Sequence, residues 1–329
     1  MGNLKGKRIL VTGGAGFIGS NLCEALLGQD NMVVCLDNFI TGTRENISGF
    51  LTQKNFLLIE GDIRNPDVCR KAVDGAEYVF HQAALGSVPR SVENPALTND
   101  ININGFLNIL IACKEGNVKR LIYASSSSVY GDHPALPKRE ENMGKLLSPY
   151  AVTKRVNELY ARVFADLHGM EIIGLRYFNV FGKKQDPEGP YAAVIPKFIK
   201  LLMKGVSPVI YGDGSQTRDF TYVDNVIKAN QLAALTENKA ALNNVYNVAC
   251  GSMITLNELY AILIELLSKH YKKDIRNIKP EYTTTRKGDI KDSLASIEKA
   301  KTLLEYSPEY NLRAGLEKSI QWYILNTVI

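Results

Sequence analysis

Tyr150 is the only one of the chain's sixteen tyrosines with a lysine four positions on, and four consecutive serines, Ser125 to Ser128, lie upstream of it. On a helix the i and i+4 side chains share one face, so the Lys154 ammonium can sit beside the Tyr150 phenol and favour its ionised form. An ordinary tyrosine, with a pKa near ~10, is a poor base at neutral pH, and a neighbouring cation brings it into a useful range. A serine hydroxyl from a nearby strand end would complete a three-point grip on a substrate alcohol. Alone the pair carries little information, because a core tyrosine beside a solvated lysine has the same spacing.

The elements around the pair give it a setting. Residues Lys7 to Thr12 read as a short buried strand, followed by Gly13-Gly14-Ala15-Gly16-Phe17-Ile18-Gly19 and an apolar-periodic helix through Leu27. The spacing Gly13-x-x-Gly16-x-x-Gly19 lets a backbone approach a pyrophosphate at the helix N-terminus, where free N–H groups and the dipole favour negative charge. A second strand, Met32 to Leu36, ends in Asp37, placed to bind adenosine ribose hydroxyls. Asn38 follows with no arginine after it, which favours NAD over NADP. Further strands are expected at Phe56 to Glu60 (before Asp62, which could meet an adenine amino group), Tyr78 to Gln82 (before the small Ala83 and Ala84), Leu121 to Ala124 and Glu171 to Arg176. Helices are expected at Pro66 to Val73, Asn99 to Lys114 and Pro149 to His168, the last capped by Ser148 with Pro149 at its first position. This alternation predicts an α/β fold, a Rossmann-type doubly wound parallel sheet with ligands at the carboxyl ends of its strands. Gly13, Asp37, Ala84, Ser126 and Tyr150 all fall at such ends.

From Phe178 the pattern turns loop-rich, with Pro187, Pro190, Pro196 and Gly205, and predicts a smaller C-terminal substrate-binding domain. The expected division is 1–177 for the NAD-binding part and 178–329 for the second, with a segment near 218–250 returning to the first through a strand at Tyr246 to Ala249. Glu258 to Ser268 and Ile297 to Leu304 read as covering helices. With 45% hydrophobic and 22% charged residues and no low-complexity tract, the chain is expected to be globular. No segment reaches membrane-spanning length, and the apolar run Ile9-Leu10-Val11 is too short for a signal peptide. Five scattered cysteines without a C-x-x-C pair predict reduced thiols in a cytoplasmic protein, with no metal site. A formal charge of +5 suits an anionic ligand, but basic residues spread along the chain make nucleic acid a poor partner.

Taken in order, Thr12 to Gly19, Asp37-Asn38-Phe39, Gly61-Asp62-Ile63, His81 to Ala84, Ser125 to Gly131, Tyr150 to Lys154, Leu175 to Gly182, Arg218-Asp219-Phe220 and Arg286 to Asp289 resemble the extended short-chain dehydrogenase/reductase family. Within it the chain is most similar to the nucleotide-sugar 4-epimerases, and Leu85 to Ser91 looks closest to those preferring N-acetylated UDP-hexosamines. The resemblance implies bound NAD, a UDP-sugar substrate and a homodimer built through the helices Asn99 to Lys114 and Pro149 to His168. It implies that Tyr150 takes the proton from the sugar 4-hydroxyl as hydride leaves C4, giving a 4-keto sugar that turns before hydride returns. Lys154 would lower the Tyr150 pKa and hold the nicotinamide ribose, and Ser126 would bridge Tyr150 and the sugar oxygen, a contact that Ser127 and Ser128 could share. Beyond the residues above, it implies cofactor contacts at Phe17, Ile18, Phe39, Gly42, Ile63, Gln82, Tyr177 and Val180. Substrate contacts are implied at Ser87, Asn179, Ala193, Val194, Lys197, Arg218, Arg286, Asp289 and Ser293. Arg218 and Arg286 would clamp the diphosphate, since guanidinium forks pair with phosphate oxygens two-fold. Ser293 stands where epimerases confined to plain hexoses carry tyrosine, leaving room for a 2-acetamido group. Three other activities share the scaffold: epimerisation of the corresponding uronic acids, with Lys197 or Arg90 meeting a C6 carboxylate, UDP-glucuronate decarboxylation, and 4,6-dehydration. The last is disfavoured because Ser127 and Ser128 stand where dehydratases need an acidic pair. A non-catalytic NAD-binding sensor is disfavoured by the joint presence of Tyr150, Lys154 and Ser126.

Overall fold

Buried on both faces, the apolar runs between the glycine, proline and asparagine punctuation pair as parallel strands. The computed structural model describes residues 4–188, 192–285 and 291–326. In chain order the first part runs β1 (Arg8–Thr12), α1 (Phe17–Leu27), β2 (Met32–Asp37), β3 (Phe56–Glu60), α2 (Pro66–Val73), β4 (Tyr78–His81), α3 (Val88–Glu93), α4 (Pro95–Asn99), α5 (Gly105–Glu115), β5 (Arg120–Ser126), α6 (Pro149–His168) and β6 (Ile172–Tyr177). The second runs β7 (Val180–Phe181), α7 (Val194–Met203), β8 (Val209–Tyr211), β9 (Thr217–Arg218), β10 (Thr221–Tyr222), α8 (Val223–Leu235), β11 (Val245–Val248), β12 (Ile254–Thr255), α9 (Leu256–His270), β13 (Glu281–Thr283), α10 (Glu298–Leu304) and α11 (Leu312–Asn326).

One seven-stranded sheet carries the order β11-β6-β5-β4-β1-β2-β3, with every pairing parallel. Its strand order reverses between β1 and β4, opening a crevice at the carboxyl ends where a ligand can lie. One face is covered by α1 and α8, through Leu22, Leu26, Val226 and Ala233. The other is covered by α2, α5 and α6, through Cys69, Phe106, Ile109 and Ala161. A separate core, including Phe198, Leu202, Leu263, Leu316 and Tyr323, gathers α7, α9 and α11. Among the described residues no helix is long and apolar enough to cross a membrane.

Capping explains where the helix that matters most begins and ends. The Ser148 hydroxyl accepts from the Ala151 N–H at 3.1 Å, Pro149 opens α6, and Gly169 closes it in the left-handed region at φ 66°. The helix expected at Asn99 to Lys114 starts earlier, at Pro95, and is interrupted by a π turn at Asp100–Asn104. That turn brings Asn102 inward, where it accepts from the Leu85 N–H (2.7 Å) and donates to Thr153 Oγ1 (3.1 Å). Asn102 thereby ties the loop after β4 to α6, a local purpose that apolar periodicity does not register. Helices α3, α7, α8 and α11 were not anticipated from the sequence. In α8 an alanine-rich face, Ala229, Ala233 and Ala234, lies close on the sheet and gives little periodic contrast.

Candidate active site

The glycine turn after β1 is built by steric necessity. Gly13 has φ +66°, and a Cβ there would stand 2.7 Å from the Ala83 nitrogen; at Gly19 it would stand 2.0 Å from the Gly13 carbonyl oxygen. Gly16 stands at the N-cap of α1 and provides no side-chain cap, which leaves the helix's first N–H groups available at the cavity. Asp37, at the end of β2, accepts from the Ala15 N–H (2.9 Å) and the Phe39 N–H (2.8 Å). Burial raises its pKa, and these backbone hydrogen bonds oppose the rise.

A cavity of ≈ 540 Å³ runs from this turn to α6. On the cofactor side it is lined by Gly13, Gly16, Phe17, Ile18, Gly19, Asp37 and Asn38, with Ile63, Gln82, Ala83 and Ala84 completing the wall. Ser87, Ser126, Tyr150, Lys154, Tyr177, Asn179 and Val180 line its other end. Strands β1, β2, β4, β5 and β6 therefore deliver their terminal residues to one space, as parallel strands must. Asp62 is not among the residues lining the cavity; its carboxylate meets Arg64 (2.7 Å) and Asn38 (2.8 Å), and Arg64 draws its pKa down to about 2. Phe39 and Gly42 are likewise not among the residues lining the cavity. Arg44 lies 4.5 Å over the Phe39 ring, and Gly42 packs where a Cβ would meet the Ala15 backbone at 2.7 Å.

Tyr150 and Lys154 share a face of α6, with the Lys154 Nζ 5.9 Å from the phenol ring centre. The ammonium donates to the Ala124 carbonyl at 2.8 Å, and burial pushes Lys154 down to about 8 against the pull of Glu158. Burial also raises the Tyr150 phenol, and the hydrogen bond with Ser126 opposes it. Lys154 is thus anchored on the strand end, and Ser126, rather than the lysine, is what counters the burial of the phenol. The serine run divides its labour. Ser125 donates to Glu158 Oε1 at 2.7 Å, and Ser126 accepts from the Ser128 N–H at 3.2 Å. Ser127 opens a 3₁₀ turn outside the cavity, and the Ser128 hydroxyl is buried with no hydrogen-bond partner among the described residues. In the cavity wall, Tyr177 donates to Gln82 Oε1 at 3.1 Å and accepts from Asn230 at 2.9 Å, which joins the strand ends to α8.

The C-terminal candidates are not gathered in this way. Arg218 donates to the carbonyls of Thr217 (2.8 Å) and Lys291 (3.1 Å) and lies outside the cavity wall. Ser293 is half-buried between Asp292, which accepts from Thr217 Oγ1 at 2.9 Å, and the strand bridge of Ala295 to Lys138. Ala193 caps α7, Val194 opens it, and Lys197 is exposed on it. Arg286 and Asp289 lie outside the described residues. The cavity wall also includes Thr41, Arg90, Ala124 and Asp186. Ala124 was legible only as a strand residue, since its part is played by a backbone carbonyl.

The glycine turn, the uncapped start of α1 and the Asp37 carboxylate together fit a dinucleotide, with Lys154 at the far end of the same cavity. A family model described as "NAD dependent epimerase/dehydratase family" matches residues 9–249. A protein from Methanocaldococcus jannaschii, provisionally named UDP-glucose 4-epimerase, is 39% identical over 95% of this chain and 97% of its own. The structure of a UDP-N-acetylglucosamine 4-epimerase from Methanobrevibacter ruminantium, in complex with UDP-N-acetylmuramic acid, superposes with a TM-score of 0.90 at 42% identity, covering 98% of this chain and 99% of that one. A UDP-glucuronic acid 4-epimerase from Bacillus cereus, in complex with UDP-glucuronic acid and NAD, superposes with a TM-score of 0.87 at 33% identity, covering 97% and 99%. Fold, dinucleotide cavity and sequence agree: the chain belongs to the NAD-dependent epimerase/dehydratase family, and NAD is its cofactor.

Proposed function

We propose that the protein interconverts UDP-linked hexoses at C4, with UDP-N-acetylglucosamine and UDP-N-acetylgalactosamine as the preferred pair. The observation that carries this reading is the placing of Tyr150, Ser126 and Lys154 at one end of a cavity whose other end is a dinucleotide turn. Bound NAD, held by the Gly13 to Gly19 turn and Asp37, would supply a reversible hydride acceptor for sugar C4. Tyr150, as phenolate, takes the proton of the 4-hydroxyl and gives it back to the new epimer, so no net proton is consumed. Ser126 holds the phenol and the sugar oxygen in line, and Lys154, fixed on the Ala124 carbonyl, supplies positive charge beside them. The 4-keto sugar turns about its link to UDP between the two transfers.

Preference for the acetamido sugars is supported by the small Ser293 and by the N-acetylglucosamine 4-epimerase among the relatives. Arg90 in the cavity wall supports a second reading, a C6 carboxylate as in the UDP-glucuronic acid 4-epimerase relative. The diphosphate would be held by Arg218, Arg286 and the start of α7. A homodimer belongs to the proposal, since α6 leaves Val152, Leu159, Val163 and Leu167 exposed on its outer side.

Incubation without added NAD with UDP-N-acetylglucosamine, UDP-glucose and UDP-glucuronate, followed by separation of the products, tests the reading. Fastest formation of UDP-N-acetylgalactosamine is expected. A dominant UDP-galacturonate product would move the preference to uronic acids, carbon dioxide release would identify a decarboxylase, and no C4 epimer from any sugar would refute the reading.

A further inference from the structure

The end of β5 and one stripe of α6 are fastened residue by residue. The Ala124 carbonyl accepts from Lys154 at 2.8 Å, and Ser125 donates to Glu158 at 2.7 Å. Tyr150, Lys154 and Glu158 stand at i, i+4 and i+8, successive turns of one helix face. Glu158 is the member without a part in the proposed reaction, although its side chain is only 2% exposed. Register explains its surroundings, because Arg176 on β6 pairs with Ser125 on β5. The Arg176 guanidinium therefore meets both oxygens of Glu158, at 2.8 and 2.9 Å, and Arg155 adds a third contact at 2.9 Å.

We propose that Glu158 is a positioning residue for the Tyr150–Lys154 pair: through Ser125 it fixes the strand end that carries the Ala124 carbonyl and Ser126, and it sets a carboxylate one turn from Lys154 on the same face of α6. This rests on the roles given above to Tyr150 and Lys154. The charged and titratable groups around Lys154 are few. Tyr150 and Glu158 face it from α6, His81 from β4 is held neutral by burial with its pKa near 3, and β5 presents the Ala124 carbonyl. Arg176 on β6 is turned to Glu158 and to the Glu140 carbonyl, 3.1 Å away. Burial works against the Lys154 ammonium, and the carboxylate that opposes it is Glu158. A lysine is charged below its pKa, so removing that carboxylate lowers the pH at which Lys154 loses its proton.

The experiment compares wild type with Glu158→Gln, with Glu158→Gln combined with Arg176→Met, and with Glu158→Asp. Glutamine alone strands a buried arginine, whereas the double variant removes both charges and the aspartate keeps the carboxylate. In protein labelled with ¹⁵N-lysine, the Lys154 ammonium resonance is identified by its absence from Lys154→Met and followed against pH. Its loss is expected about one pH unit lower in Glu158→Gln, lower than wild type by a smaller step in the double variant, where the opposing Arg176 charge is gone too, and near the wild-type value in Glu158→Asp. The alkaline limb of the kcat profile should move with it. A double variant whose Lys154 titrates as in wild type would reduce Glu158 to a structural partner of Arg176 and overturn the proposal, as would an aspartate variant shifted as far as glutamine. If wild type makes no C4 epimer while the resonance still shifts, the reaction assigned here fails and the coupling of Glu158 to Lys154 stands.

Discussion

The parallel sheet and the C-terminal region solve the problem of assembling a site in opposite ways. In the sheet, strands β1, β2, β4, β5 and β6 are buried on both faces and locked in register, so whatever residue follows each strand arrives at the same crevice. Gly13, Asp37, Gln82, Ser126 and Tyr177 meet there although 164 positions separate the first from the last. Beyond β6, the strands outside the main sheet are two or three residues long and pair in twos, and the side chains expected to hold the sugar nucleotide are spread over separate segments. Arg218 rests on backbone carbonyls and Ser293 sits between two bridges, neither in the cavity wall. A stiff sheet brings its strand ends to one cavity, whereas among the described residues the short-paired segments do not bring Arg218 and Ser293 to its wall.

Five substitutions press on that contrast. On the sheet side, Tyr150→Phe should lower turnover about 1,000-fold while leaving the melting temperature and NAD content close to wild type, because only a proton carrier is lost. Retention of more than a tenth of the activity would move the base elsewhere. Asp37→Ala removes the acceptor of the Ala15 and Phe39 N–H groups and should weaken NAD binding about 100-fold, read as cofactor content after purification. Ser126→Ala should cost about 30-fold in kcat against little for Ser127→Ala. Because the Ser126 hydrogen bond opposes the burial-raised pKa of Tyr150, its loss raises that pKa further, and the acid limb of the pH–rate profile moves to higher pH. Equal losses at the two serines would erase the distinction drawn between them. The smallest expected effect tests the other side: Ser293→Tyr should reduce the preference for acetamido over plain UDP-hexoses about tenfold. An unchanged ratio would show that the gate lies elsewhere.

How much was readable follows the same line. Strand ends were legible because parallel strands are continuous apolar runs and their stops are glycine, aspartate and serine; Phe56–Glu60, Pro66–Val73 and Pro149–His168 have the limits expected of them. Less legible was what side chains do once neighbours from other elements arrive. Lys154 chose a backbone carbonyl, Asp62 chose Arg64, and Asn102 pulled a π turn into a helix, each through a hydrogen bond with no periodic signature. Ser125 and Ser126 face opposite ways because a strand alternates, but only the register with Arg176 explains why Ser125 is taken by Glu158. Arg218 lies in a strand of two residues and Ser293 outside any strand or helix, settings too short to propagate a pattern.

Strand β11 reaches the sheet only after the chain has travelled through β7, α7 and α8, and it lies against β6. A fragment ending after Tyr177 would therefore leave β6, buried along its whole length in the intact protein, as a bare sheet margin with unpaired amides. Such a piece is a template for self-association, and the covering provided by α8 would be missing as well. The chain's to-and-fro path thus couples the maturation of the nucleotide crevice to synthesis of at least the first 248 residues. Nascent protein shorter than that has an adhesive flank in place of a finished pocket.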